Sequence, residues 1–349
     1  LTGGLLYADH YLTGKMTTDD DFDSLSASDL HQTATEADGR LEREERFSEA
    51  LSGLEEQLAD LPSFTEVDRY LLSNNDIPAE ALAKLDTGKA PRSSYLSSDA
   101  SKIQVFVLFG LDGVDSSDSV MLVALDRVHQ KIKLISLARD SYVFIPEFAS
   151  FSKLAYSYTW GGAAMAVKNL NYNYYLNVSD YIAVDFDQLA QIIDRIGGVT
   201  VNIDEDEARY LSNYPNVHVG DCLLDGETAV SYARIRKSSA TDSDRKRTGR
   251  QREVILSILN TLQTMPLSQY PGFVRDCLGM CATSFEAETL LTMAAETLGQ
   301  NYTVEQYFFP EGQVDWWAGL IKEYFYYVYD LRRASDRIYR IIYEELYIS

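Results

Sequence analysis

Three apolar runs rich in β-branched and aromatic residues fall close together: Ile103-Gln104-Val105-Phe106-Val107-Leu108-Phe109, Val120-Met121-Leu122-Val123-Ala124-Leu125 and Lys131-Ile132-Lys133-Leu134-Ile135-Ser136-Leu137. Runs of this length and composition fit buried strands. The first stops at Gly110, and the segment Asp126–Gln130 between the other two is short enough for a turn. Strand and helix patterns then alternate: helix Ala163–Leu170, strand Tyr181–Phe186, helix Gln188–Ile196 closed by Gly197-Gly198, strand Val199–Ile203, and a helix starting near Thr248 and anchored by Val254–Leu259. Such interleaving predicts an α/β fold, an α-β-α sandwich around a central mixed sheet. The tail continues with helix Glu286–Leu298, strand Tyr324–Val328 and helix Ala334–Leu346. Nine tyrosines lie between Tyr302 and Tyr347, a concentration that can pack a core or line a sugar-binding face.

Charge divides the chain. With 53 acids against 31 bases the net charge is −22, which argues against a sequence-blind nucleic-acid binder. Residues 1–100 alone hold 21 acids and 8 bases. They read as an acidic helical appendage or spacer over 1–95, with an apolar stripe through Leu41, Phe47, Leu51, Leu54 and Leu58 and a linker near Lys89–Ser94. The globular domain is expected over 96–349, with a core at 103–262 and a C-terminal extension at 263–349. No stretch approaches the ~20 apolar residues of a membrane span. The chain opens on Leu1 rather than Met, consistent either with a trimmed apolar segment or with an arbitrary boundary.

Three cysteines, Cys222, Cys277 and Cys281, are too few for a disulfide scaffold. Cys277 and Cys281, four apart, read either as a disulfide or as two small buried hydrophobes. No histidine has ligand spacing to them, so a zinc site is not expected.

Against the acidic background one window is basic: Arg234, Arg236, Lys237, Arg245, Lys246, Arg247, Arg250 and Arg252, opposed only by Asp242 and Asp244, a local net of +6. Arg234 and Arg236 alternate and would share a face of a strand; Arg247 and Arg250, three apart, would share a face of a helix. Converging guanidiniums suit a phosphate or pyrophosphate. Acids fall at strand ends: Asp112 just beyond the first strand, Asp118 at the start of the second, and Arg139-Asp140 after the third. Ligands of open α/β sheets bind at such ends, and two carboxylates there can hold a hard cation such as Mg²⁺. Metal-ligand acids and phosphate-binding bases on one rim meet the needs of phosphoryl transfer.

The order of these pieces resembles the LytR–CpsA–Psr family of Gram-positive cell-wall glycopolymer ligases. It is carried by Leu108-Phe109-Gly110-Leu111-Asp112, Ser117-Asp118-Ser119, Ser136-Leu137-Ala138-Arg139-Asp140-Ser141-Tyr142, Ser152-Lys153-Leu154 with Gly161-Gly162, Ile196-Gly197-Gly198-Val199, Leu224-Asp225-Gly226, Tyr232-Ala233-Arg234-Ile235-Arg236 and Asp244-Arg245-Lys246-Arg247-Thr248-Gly249-Arg250-Gln251. The likeness is strong over Ile103–Leu262, and the tail resembles the extension of clostridial-type members. The resemblance implies a membrane-anchored protein acting outside the cell. It would move a glycopolymer from a polyprenyl-pyrophosphate carrier to a peptidoglycan hydroxyl. Asp112 and Asp118 would hold Mg²⁺, with Mn²⁺ as the alternative, or help activate the acceptor. Arg139, Arg234, Arg236, Arg247 and Arg250 would grip the pyrophosphate, with Lys153, Asp140, Asp244 and Gln251 beside them. A non-catalytic binder of polyprenyl phosphate or wall polymer, or a pyrophosphatase, would use the same residues.

Overall fold

The computed structural model describes residues 98–112, 117–146, 150–236, 240–297, 302–310, 314–321 and 324–343. The acidic segment 1–95 lies outside them. In chain order the elements are β1 (Ile103–Leu111), β2 (Ser117–Asp126), β3 (Lys131–Leu137), β4 (Tyr142–Ile145), β5 (Ser150–Lys153), α1 (Tyr156–Tyr174), β6 (Asp180–Asp185), α2 (Phe186–Arg195), β7 (Val199–Ile203) and α3 (Glu205–Tyr210). They continue as β8 (Gly220–Leu224), α4 (Gly226–Ala233), α5 (Ala240–Thr264), α6 (Tyr270–Leu278), β9 (Ala282–Thr283), α7 (Ala287–Thr297), β10 (Thr303–Phe309), β11 (Trp316–Ile321), β12 (Tyr324–Tyr329) and α8 (Leu331–Tyr343). They fall into two compact units, one built on residues up to Phe109, from 114 to Ser179 and from Thr303 onward, the other on Asp180–Tyr302 with the residues around Leu111 and Asp112.

In the first unit the strands run β10-β3-β2-β1. β2 and β3 are antiparallel, with Val120 opposite Leu137, whereas β10 lies parallel to β3, with Thr303 opposite Lys131. The sheet is therefore mixed, as the interleaved patterns predicted. Val107, Leu122, Ile135, Val167, Leu170 and Ile338 are fully buried in the unit's interior. Polar side chains tie α1 to its neighbours. Asn173 receives a hydrogen bond from the Phe144 N–H at 2.9 Å and donates to the Phe144 carbonyl at 2.8 Å. Asn171 does the same with Val178, at 3.0 and 2.8 Å, so two amide side chains substitute for absent strand partners.

In the second unit β6 pairs antiparallel with β9, and β7 with β8. Helix α2 begins in a capping box in which Asp185 accepts from the Gln188 N–H and Gln188 accepts from the Asp185 N–H. It ends where expected, with Gly197 and Gly198 at φ +85° and +102°. Ile193, Val201, Leu224, Ala229 and Tyr232 form the core. Helices α2 and α4 approach closely because Gly226 has no side chain: a Cβ there would lie 2.1 Å from the Ala190 carbonyl oxygen. Gly226→Ala should cost about 1–3 kcal/mol through overpacking, read as a lower urea midpoint with an unchanged slope. An unmoved midpoint would mean that the helices separate freely.

Cys222, Cys277 and Cys281 are free thiols, so Cys277 and Cys281 stand as two small side chains, Cys281 buried and Cys277 partly buried. Burial raises both thiols, Cys281 to about 12 and Cys277 further, with Cys281 and Asp276 adding to the rise at Cys277. Because the thiolate is the nucleophile, both should react slowly with Ellman's reagent at pH 8 in the native protein and fast in guanidinium. Rapid native labelling of two thiols would contradict that burial.

Candidate functional site

The β2–β3 register explains the first group of charged residues. Val120 lies opposite Leu137, the last residue of β3, so Asp118, two residues outward on β2, stands near Arg139 in the turn that follows β3. The Arg139 guanidinium donates through Nη1 to Asp118 Oδ1. Its Nε lies 3.6 Å from Asp140 Oδ2, and Asp140 Oδ1 in turn lies 2.6 Å from Lys153 Nζ. Lys153 arrives there because β5 places it opposite Tyr142, next to the same turn. The result is a row of alternating charge: Asp118, Arg139, Asp140, Lys153. The Arg139 side chain is 23% exposed against 10% for Asp118, so of the pair the cation keeps the larger accessible surface.

Backbone hydrogen bonds from two segments hold this turn. The Arg139 carbonyl accepts from the Ala155 N–H, that of Asp140 from Tyr327, and that of Ser141 from Leu154, at 2.9–3.0 Å. Behind it, Ser141 Oγ donates to the Ala138 carbonyl and meets the Tyr329 hydroxyl at 2.9 Å; that hydroxyl also bonds Tyr174. Burial raises both phenols, Tyr329 to about 12, so they remain neutral hydrogen-bonding groups. Lys153 Nζ also sits over aromatic rings, 5.6 Å from the centre of Tyr326 and 6.0 Å from that of Tyr156.

The second group lies in the other unit. The alternation of Arg234 and Arg236 predicted a strand, and this is corrected: Tyr232 and Ala233 close α4, and Arg234 is its C-cap with its N–H bonded to the Val230 carbonyl. The physical cause is the start of the helix, where the Asp225 side chain accepts from the Thr228 N–H at 2.9 Å. Hydrogen bonds to Thr228 also hold the Asp225 carboxyl below its ordinary range. Arg234 and Arg236 are nevertheless both exposed, on either side of the buried Ile235. The Arg234 guanidinium stacks 4.3 Å from the centre of the Phe186 ring.

Helix α5 starts at Ala240, well before Thr248. Arg247 and Arg250 share a face of it as expected, and that face is buried, at 2% and 5% exposure. Arg250 donates to Glu207 Oε1 at 3.0 Å and to the Ile235 carbonyl. Glu207 is itself fixed by the capping box it forms with Asp204 at the start of α3. Arg250 therefore positions the Arg234–Arg236 segment through Ile235. Gln251 lies beside it, its amide oxygen buried with no hydrogen-bond donor among the described residues. Asp244 falls in α5, but its side chain lies outside the described residues. Asp112 directly follows β1.

The structure thus gathers Asp118, Arg139, Asp140 and Lys153 in one group, and Arg234, Arg236, Arg250 and Gln251 around Ile235 and α5 in another. Among the described residues there is no cluster of three or more His, Cys, Asp or Glu side chains. Sequence reasoning did not single out Tyr156, Tyr174, Tyr326 or Tyr329; the density of tyrosines in the tail was the available signal for Tyr326 and Tyr329.

Known proteins resemble this chain in sequence and in fold. TagU of Oceanobacillus iheyensis, named a polyisoprenyl-teichoic acid–peptidoglycan teichoic acid transferase, is 29% identical over 230 residues, 63% of this chain and 69% of its own. The regulatory protein MsrR of Staphylococcus aureus is 30% identical over 184 residues, 50% of this chain and 54% of its own. The fold matches that of TagT (YwtF) of Bacillus subtilis, solved with bound octaprenyl pyrophosphate lipid, at a TM-score of 0.55 and 17% identity over 73% of this chain and 98% of that one. The sequence model of the LytR_cpsA_psr family matches residues 75–338, from before β1 into α8 and across both charged groups. By that match over well over half of its length, the chain belongs to the LytR_cpsA_psr family.

Proposed function

We propose that the protein is a phosphotransferase that moves a glycopolymer from a polyprenyl-pyrophosphate carrier to a hydroxyl of peptidoglycan. The observation that carries the reading is the partly exposed Arg139 side chain, held between Asp118 and Asp140 at a strand-end rim. TagU's name and the lipid bound to TagT supply the substrate class. In the reaction the acceptor hydroxyl oxygen bonds to the phosphorus that carries the sugar. The bridging P–O bond of the pyrophosphate breaks, and polyprenyl monophosphate leaves with the electron pair. The hydroxyl proton passes to a carboxylate, Asp118 or Asp112. Arg139 neutralises the charge that develops on the leaving phosphate, and in the other unit the exposed Arg234 and Arg236 are the guanidiniums that the family resemblance assigns to phosphate. Arg250 acts by positioning the latter pair. Asp112 and Asp118 are the residues that would hold Mg²⁺ or Mn²⁺, whose chemistry is to neutralise pyrophosphate charge. We place the enzyme at the outer face of the cell membrane, where its lipid-linked donor and its wall acceptor meet.

The experiment is a two-product assay with a radiolabelled sugar on polyprenyl pyrophosphate and purified peptidoglycan. Transfer predicts label in the insoluble wall in step with released polyprenyl monophosphate. Release of lipid without wall label would make the protein a pyrophosphatase, with water as acceptor. Binding without release would favour the non-catalytic reading, to which the name of MsrR lends support.

A further inference from the structure

The rim that carries Arg139 and Lys153 runs on into aromatic side chains for which the phosphate chemistry has no use. Tyr156 and Trp160 are one turn apart at the start of α1 and so share a face; their rings lie 5.3 Å apart at 52°. The helix is broken immediately afterwards at Gly161-Gly162, where Gly162 has φ +63°. Trp160 is 45% exposed, unusual for an indole. Lys153 Nζ lies over both Tyr156 and Tyr326 while pairing with Asp140 Oδ1. On β12, Tyr326 is directly opposite Gly319 of β11. A Cβ on Gly319 would come within 2.5 Å of the Trp317 ring, so that indole lies across the glycine backbone, beside Tyr326.

We propose that this surface is a subsite for the pyranose rings of a glycan, an extension of the reading given above, on which it rests. A pyranose presents a face of polarised C–H groups, which the electron-rich face of an aromatic ring attracts, and a rim of hydroxyls that charged side chains can bond. Trp160 and Tyr156 supply the faces; Lys153 and Asp140 supply donors and acceptors for the hydroxyls. An isoprenoid chain fits poorly, because covering the Lys153–Asp140 pair with hydrocarbon would strip its water and return no hydrogen bond.

The test follows the indole N–H signals of the 15N-tryptophan-labelled protein, assigned by single replacement of the three tryptophans. The probes are chitotetraose, standing for an acceptor strand, N-acetylglucosamine 1-phosphate, standing for a donor sugar, and farnesyl pyrophosphate. The expected result is a saturable shift of the Trp160 signal by a sugar probe. Trp160→Ala, its affinity read by titration calorimetry because the variant lacks that signal, should weaken that sugar about tenfold, and Trp160→Phe should restore most of the affinity. Which sugar probe moves the signal tells acceptor from donor. Trp160→Ala should leave farnesyl pyrophosphate binding unchanged, and Arg139→Ala should weaken farnesyl pyrophosphate but not chitotetraose. No saturable shift with either sugar overturns the proposal, as does a Trp160 signal moved by farnesyl pyrophosphate alone. Sugar binding in a protein that ignores farnesyl pyrophosphate would leave the subsite standing and remove the transferase reading instead.

Discussion

Arg139→Lys is expected to lower glycopolymer transfer about 10²–10³-fold while leaving the protein folded and its melting temperature nearly unmoved. The reasoning separates charge from geometry. Lysine keeps a positive charge beside Asp118, which is only 7% exposed, so the carboxylate is not left buried and alone. What lysine loses is the planar fork. Arg139 reaches Asp118 through Nη1 and faces Asp140 through Nε at 3.6 Å, and an ammonium cannot span both while presenting a donor to a phosphate. Removing one preorganised donor from a site of developing charge costs about 10²–10³ in kcat. The measurement is the two-product assay on both proteins with calorimetry alongside. A loss below fivefold would sink the assignment of Arg139 to the transition state. A large loss with a melting temperature lowered by many degrees would instead make the residue structural.

That division between what is local and what is not also decides how much could be read from the chain. β1, β2 and β3 were legible because burial on both faces writes a continuous apolar run. The end of α2 was legible because only glycine accepts the φ values at Gly197 and Gly198 easily. β10 was not, because Thr303-Val304-Glu305-Gln306-Tyr307 carries no such run and takes its place by pairing with β3, far away in sequence. At Tyr232–Arg236 the period-two alternation competed with the Asp225 cap, and the cap won. The shared face of Arg247 and Arg250 was readable from spacing, but its direction was not: what it meets is Glu207 and the Ile235 carbonyl, brought in by the fold. The rim itself followed from strand order, since Asp118 and Arg139 flank the two strands of one hairpin. The aromatic surface beside it did not, since a dense tyrosine sequence looks the same whether its rings are packed or presented.

The same limit hid Lys133, and its replacement should have the largest effect on stability. Lys131 and Lys133 alternate on one side of β3; Lys131 pairs at the surface with Glu305, while Lys133 has no exposed surface. Its Nζ donates to Asp126 Oδ2 and to the Ile342 carbonyl in the last turn of α8, each at 2.9 Å. A positive charge there also opposes the negative end of the helix. Asp126 further accepts from the backbone N–H groups of Val128 and His129 at 3.0 Å and meets His129 Nδ1 at 2.7 Å. Burial alone would raise the Asp126 carboxyl, but the hydrogen bonds from His129 and Lys133 outweigh it and hold the group below its ordinary 3.8. Lys133→Met would leave that carboxylate buried without its cation and one helix-end carbonyl without its donor, a loss of about 3–5 kcal/mol. For a domain of this size that is a fall in melting temperature on the order of 10 °C at pH 7. Because the folded Asp126 titrates below the unfolded one, its contribution is complete above about pH 4 and fades as pH falls through the folded value. The gap between the two proteins should therefore narrow towards pH 3. Lys133 lies about 20 Å along the strand from Arg139, so the Michaelis constant should stay put while the protein melts earlier. Calorimetry at pH 7 and pH 3 decides it: a gap under 2 °C at neutral pH, or one that does not narrow in acid, would show that the fold does not depend on this buried pair.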